Sequence, residues 1–162
     1  MIFLTVGSQM PFDRLVQAVD AWAGMHPDVP VVAQVGRGAA ATQHVRRHEV
    51  LDPTAFRRCV QEAALLVAHA GMGSVLTGLE LGKPMLLLPR LGALRETRND
   101  HQVATLKWLR DKPGVHAAFD VAALQAALDH WQELAMTAGA AAAPSPAQHR
   151  LVATLRGFID AD

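Results

Sequence analysis

Apolar residues fall along this chain in two alternating patterns: short near-continuous runs, and longer segments where they recur every three or four positions. The runs read as strands buried on both faces, and the periodic segments as helices that cover them. Ile2 to Val6 is the first predicted strand and ends at Gly7-Ser8-Gln9. A helix begins near Pro11, a favoured first-turn residue, and carries Phe12, Leu15, Val16 and Val19 at helical spacing. Pro27 and Pro30 precede a second strand, Val31 to Val35, which runs into Gly36-Arg37-Gly38. A weaker strand is predicted at His48 to Leu51, and Asp52-Pro53 then caps a helix that reaches about Ala63.

Ala64 to Ala68 reads as a buried strand that delivers a glycine-containing turn, and Gly73 to Leu81 as the next helix, stopped by Gly82. Met85 to Leu88 is another apolar strand, and Arg90 to Asn99 an irregular charged loop. Beyond it the pattern predicts a helix from about Asp100 to Arg110, a short strand Val115 to Ala118, and a helix capped by Asp120 that runs to about Ala135. Strands alternating with helices give an α/β fold, a Rossmann-like parallel sheet of about six strands flanked by helices. Residues 1–135 make one domain and 136–146 an alanine- and proline-rich linker. Residues 147–162 carry the apolar stripe Leu151, Val152, Leu155, Phe158 and Ile159, an amphipathic helix suited to packing on the domain or on a partner.

Composition narrows the function more by exclusion than by assignment. Fifteen basic and fifteen acidic side chains cancel, and Arg46-Arg47 and Arg57-Arg58 are isolated pairs, so no nucleic-acid footprint is present. One cysteine, Cys59, cannot form an internal disulfide, which points to a reducing compartment. It lies with Phe56, Val60 and Ala63 on a helical face and reads as a packing residue. The N-terminal run lacks the charged region of a signal peptide, and no apolar stretch approaches the ~20 residues that span a bilayer. A soluble cytoplasmic protein is expected, with any membrane association arriving through a partner. His44 and His48 have no evident third ligand, so no metal site is expected.

The chemistry concentrates between His69 and Gln102. His69-Ala70-Gly71-Met72-Gly73-Ser74 joins a strand to a helix, a geometry in which glycines let backbone N–H groups approach an anion and the helix dipole favours it. Taken alone, such a turn is equally compatible with glycines needed only for its shape. Met72 also suits plain packing, and His69 also suits a core histidine with a backbone partner. Arg90, Arg95 and Arg98 can neutralise a diphosphate or simply face solvent, and Lys83 reads as surface.

Four segments together say more: Val6-Gly7-Ser8 with Pro11-Phe12-Asp13, the glycine turn, Glu80-Leu81-Gly82-Lys83-Pro84, and Arg98-Asn99-Asp100-His101-Gln102. In order and spacing they resemble the nucleotide-sugar signature of GT-B glycosyltransferases, specifically the C-terminal domain of family 28, across about residues 1 to 130. Within that family the chain looks most similar to the short catalytic subunits of two-part transferases. These act in dolichol-linked N-acetylglucosamine transfer or in bacterial exopolysaccharide and capsule assembly. The resemblance implies a donor diphosphate near His69, cradled by Gly71, Gly73 and Ser74, and donor-sugar contacts from Asp100, His101 and Gln102, with Met72 and Asn99 also counted among the substrate-binding residues. It also implies that Gly7, Ser8 and Gln9 face the cleft between the enzyme's two halves. Many relatives carry a carboxylate on the glycine-loop helix to grip the ribose; Thr77 stands there in this chain.

The implied activity is inverting transfer of a hexose-type sugar from a UDP-sugar to a polyprenyl-diphosphate-linked acceptor, with no cofactor and no metal. The sequence matches only the C-terminal half of a GT-B enzyme. The acceptor pocket and the base are therefore expected from a membrane-associated partner subunit, with His69 the only catalytic candidate in this chain. Glucose, galactose, glucuronate and N-acetylglucosamine are all compatible with the Asp-His-Gln stretch. A non-catalytic sugar-nucleotide-binding module uses the same loop chemistry. A dinucleotide-dependent oxidoreductase fits less well, because Gly7-Ser8-Gln9 is no Gly-x-Gly-x-x-Gly and no acid follows at the required distance.

Overall fold

A computed structural model describes residues 1–137, 150 and 152–154. Among the described residues six parallel strands form one sheet in the order β3-β2-β1-β4-β5-β6. The strands are β1 (Ile2–Thr5), β2 (Val31–Gln34), β3 (Arg46–His48), β4 (Leu65–His69), β5 (Met85–Leu88) and β6 (Val115–Ala117). Helices α1 (Asp13–Met25), α2 (Pro53–Glu62), α3 (Met72–Glu80), α4 (His101–Leu109), α5 (Val121–Asp129) and α6 (Trp131–Met136) accompany them.

Alternation along each strand sends side chains into two separate cores. Ile2 and Leu4 of β1, Leu65 and Val67 of β4, and Leu86 and Leu88 of β5 pack with Leu15, Val19 and Trp22 of α1 and with Leu124 and Leu128 of α5. Phe3, Leu66, Ala68, Met85 and Leu87 face the other way, against Val60 of α2, Val75 and Leu79 of α3, and Leu106 and Leu109 of α4. Covered on both sides, the central strands read as the uninterrupted apolar runs seen in the sequence. Capping is also local and legible: Asp52 accepts hydrogen bonds from the Thr54 and Ala55 N–H groups at 2.9 Å each, and Asp120 accepts one from Ala123 at 2.7 Å.

Three elements differ from the sequence-based expectation. The third strand is Arg46–His48, upstream of the expected His48 to Leu51, because this polar edge strand carries no apolar signal of its own. Helix α1 begins at Asp13, two residues beyond Pro11. The helix expected from Asp120 to Ala135 is two, broken at His130, whose ψ of 24° ends the first before α6 starts. Most of the expected linker and C-terminal helix lies outside the described residues. Within it, Arg150, Val152, Ala153 and Thr154 are helical, and Val152 packs against the second core. Among the described residues no helix is long and apolar enough to cross a membrane.

Cys59 is half-buried beside that second core, and burial raises its thiol pKa. Lys83, expected at the surface, donates to the backbone carbonyls of Gln61 and Ala63 and so pins the turn from α2 into β4. Its partial burial lowers the pKa of its amine.

Candidate functional site

Chain direction reverses its sense of travel between β1 and β4. From β1 the chain moves outward to β2 and β3, and from β4 it moves the other way to β5 and β6. Helices leaving the two strands diverge, and a crevice opens at the carboxyl ends of the sheet. It is a cleft of about 400 Å³. The turn after β1 supplies Val6, Gly7, Ser8, Gln9 and Met10, and the turn after β4 supplies His69, Gly71, Met72, Gly73 and Ser74. Arg90, Glu96, Thr97 and Gln102 close it from the β5 side.

The turn after β1 is held from below. Thr5 Oγ1 accepts the Gly7 N–H at 3.1 Å, which fits the positive φ of 78° at Gly7, a conformation that favours glycine. Gln34, buried at the end of β2, donates to the Gly7 carbonyl at 3.1 Å and accepts the Leu51 N–H at 2.9 Å. One carboxamide thus ties the β1 turn to the segment entering α2.

The second turn sets the helix end. Gly71 is the residue before α3 and offers no side-chain cap, so the first-turn N–H groups of Met72, Gly73 and Ser74 have no acceptor within the helix. His69 lies over this turn: a Cβ on Gly71 would come within 2.0 Å of His69 Nε2, and one on Gly7 within 3.0 Å of Cε1. A Cβ on Gly73, by contrast, would meet nothing within 4 Å. Packing explains the glycine at 71 but leaves the one at 73 open to whatever enters the cleft.

Burial, and secondarily the charge of Arg90, lower the His69 pKa to about 4, with the Thr5 backbone opposing. The imidazole is therefore neutral at physiological pH. Its Nδ1 is buried and, among the described residues, has no hydrogen-bond partner. A neutral ring of this kind contributes no positive charge to an anion and is a weak base.

Of the two expectations for Arg90, a diphosphate contact or a solvated loop face, the structure excludes the second: the side chain is buried in the cleft wall. It is 4% exposed, and its Nη1 donates to the Pro11 and Glu96 carbonyls while Nη2 donates to those of Val6 and Met10. The guanidinium also sits 4.7 Å from the centroid of Phe12. Glu96 is engaged by Arg14, whose Nε and Nη2 donate to its two carboxylate oxygens at 2.7 and 2.9 Å. Arg95 and Arg98 are exposed and outside the cleft lining.

Of the residues singled out in the sequence, Gly7, Ser8, Gln9, His69, Gly71, Met72, Gly73, Ser74 and Gln102 converge on the cleft. Thr77, Asn99, Asp100 and His101 do not line it. Thr77 Oγ1 donates back to the Gly73 carbonyl at 3.0 Å, one turn up α3. Asn99 accepts the His101 N–H, Asp100 accepts the Gly92 N–H, and all three of Asn99, Asp100 and His101 are exposed. Gln102 alone of that stretch turns inward. Its Oε1 accepts the Arg90 N–H at 3.1 Å, which leaves its amino group for the cleft. Glu80 forms an ion pair with Arg57 at 3.7 Å and takes no part in the lining. The residues missed by sequence reasoning are Val6, Met10, Glu96 and Thr97, which belong to loops whose course depends on contacts distant in sequence. Among the described residues no cluster of metal-ligating side chains exists, and His44 packs against Gly24 of α1.

Residues 1–148 match the family described as the glycosyltransferase family 28 C-terminal domain. The chain belongs to that family. Curated relatives of this family 28 domain include the UDP-N-acetylglucosamine transferase subunit ALG13 of Mus musculus, 31% identical over 121 residues, and that of Homo sapiens, 29% identical over 118. These matches cover 66% and 67% of the chain and 10% of each relative, so the chain spans about a tenth of their length. Among solved structures, the fold is similar to MurG of Acinetobacter baumannii, with a TM-score of 0.60 and 20% identity over 96% of this chain and 49% of that one. It is also similar to the glycotransferase of kitacinnamycin, at 0.58 and 23%, over 96% of this chain and 38% of that one. The family rests on the match over residues 1–148, and the solved structures add the fold, that of half a GT-B glycosyltransferase.

Proposed function

We propose that this chain is the donor-binding catalytic subunit of a heteromeric inverting glycosyltransferase. Its donor is a UDP-sugar and its acceptor a polyprenyl-diphosphate-linked glycan, presented at the cytoplasmic face of a membrane by a membrane-associated partner subunit. Exopolysaccharide or capsule assembly is the setting. One observation carries the reading. The first-turn residues of α3, whose N–H groups have no acceptor within the helix, line the crevice at the switch point of the sheet, and they include a glycine that packing does not require. The name of the ALG13 relatives, a subunit that works with UDP-N-acetylglucosamine, agrees with it.

In the reaction the acceptor hydroxyl oxygen bonds to the anomeric carbon as the bond from that carbon to the diphosphate oxygen breaks, and UDP leaves. Negative charge grows on the departing diphosphate, where preorganised N–H donors and the α3 dipole stabilise it without a metal. The proton lost by the acceptor needs a base. His69 is held neutral with its pKa near 4, and Glu96 is locked in its pair with Arg14, so neither suits the task. The base is assigned to the partner.

Calorimetric titration with UDP and UDP-sugars, against NAD as control, tests the donor half of the reading. Sugar transfer by this chain alone, compared with the chain reconstituted with its partner, tests the other half. A normal rate from the isolated chain, or binding of NAD in preference to UDP, would overturn it.

A further inference from the structure

The two walls of the cleft come from segments about eighty residues apart, and two arginines join them. Arg90 leaves the end of β5, passes beneath the cleft, and donates to the carbonyls of Val6, Met10 and Pro11 on one wall and of Glu96 on the other. Its backbone N–H holds Gln102. A second tie runs in parallel: Arg14, from the first turn of α1, donates to the Pro89 carbonyl and to Glu96, whose carboxylate in turn accepts the Leu91 N–H. The Phe12 ring contacts both guanidinium groups, its centroid 4.7 Å from that of Arg90 and 5.2 Å from that of Arg14.

The composition of this tie is unusual for a buried cation. Among the described residues no carboxylate bonds directly to the Arg90 guanidinium; four carbonyl oxygens accept from it, and the Glu96 carboxylate favours its charge without touching it. Taking such a charge out of water is costly, and a purely packing role would be filled better by an apolar side chain. A planar fork with several donors is the feature that a carbonyl cage on two loops requires, and lysine cannot reproduce it.

We propose that Arg90 is the positioning residue of this site: it couples the loop after β1 to the loop after β5, so that both walls of the donor cleft are ordered as one unit. The site in question is the donor cleft of the preceding reading, on which the functional meaning of the coupling rests. The coupling itself is a property of the free protein. The charge of Arg90 also bears on His69 across the cleft floor and favours its neutral form.

Amide hydrogen exchange and histidine NMR on wild type, Arg90→Lys and Arg90→Gln test the proposal. Both variants are expected to accelerate exchange by about tenfold or more in Gly7–Met10 and in Leu91–Thr97 together, with β4 and β5 still protected. The His69 titration is expected to move up in the glutamine variant and to stay low in the lysine variant, which keeps the charge. If Arg90→Gln does not fold, the lysine variant alone decides the coupling. Acceleration in a single wall, or equally throughout the sheet, would overturn the proposal, as would wild-type exchange in a folded lysine variant. In a parallel titration, UDP alone is expected to bind the lysine variant about tenfold more weakly than wild type. Absence of UDP binding to the wild type would defeat the donor reading while leaving the exchange result to decide the coupling.

Discussion

The imidazole of His69 occupies the space that a side chain at Gly71 would need: a Cβ there would lie 2.0 Å from Nε2. The two residues are therefore one packing unit at the mouth of α3. Gly71→Ala is expected to cost about 1–3 kcal/mol, because either the ring or the turn must shift. His69→Ala removes the obstacle, so the double variant should lose less than the sum of the two single losses. Urea denaturation of the four proteins measures this, and strict additivity would show that the ring and the turn are independent.

Protonation of His69 should be visible in the pH dependence of stability. Its native pKa is lowered to about 4 from the ordinary 6.5, so below pH 6.5 the unfolded chain takes up a proton that the native one refuses. Stability is thus full above about pH 6.5, declines as pH falls towards about 4, and loses about 3 kcal/mol in total from this group. His69→Gln should flatten that part of the profile. An unchanged slope in the variant would assign it to other groups.

Asp20 governs the loop that precedes β3. Only 6% exposed, it accepts the backbone N–H groups of Gln43, His44 and Val45 at 2.9–3.2 Å. Asp20→Ala strands three donors and should cost about 2–4 kcal/mol, with Asp20→Asn losing less because one acceptor oxygen remains. Thermal unfolding gives the order wild type, then asparagine, then alanine.

Much of the fold was legible because its causes are local. The Ile2–Thr5 and Met85–Leu88 strands are buried throughout and almost wholly apolar, and Asp52 caps α2 within three residues of itself. The glycine turn was visible for the same reason, since its strand, its glycines and its helix are contiguous. What escaped was set by distance. Arg46–His48 becomes a strand through pairing with β2, although its own residues are polar. The role of Arg90 depends on carbonyls roughly eighty positions upstream, which no local pattern encodes. The resemblance implies a sugar contact for Asp100; what no local pattern encodes is that its carboxylate accepts the Gly92 N–H across the same loop.

Gln102 offers a substitution that separates the two ends of one side chain. Its Oε1 accepts the Arg90 N–H, and its amino group is left for the cleft. Gln102→Glu keeps the acceptor but replaces the donor with negative charge, so folding should be retained while UDP binding weakens by about tenfold or more. Titration calorimetry at neutral pH measures the change. Equal affinity in wild type and variant would place the diphosphate and sugar out of reach of this residue.

The most direct measurement of the central claim is an amide NMR titration of this chain with UDP. The expected result is saturable shifts at Gly7 to Met10, at Gly71 to Ser74 and at Gln102, with the far edge of the sheet unmoved. Saturable shifts confined to another face of the domain, or none at millimolar UDP, would contradict it.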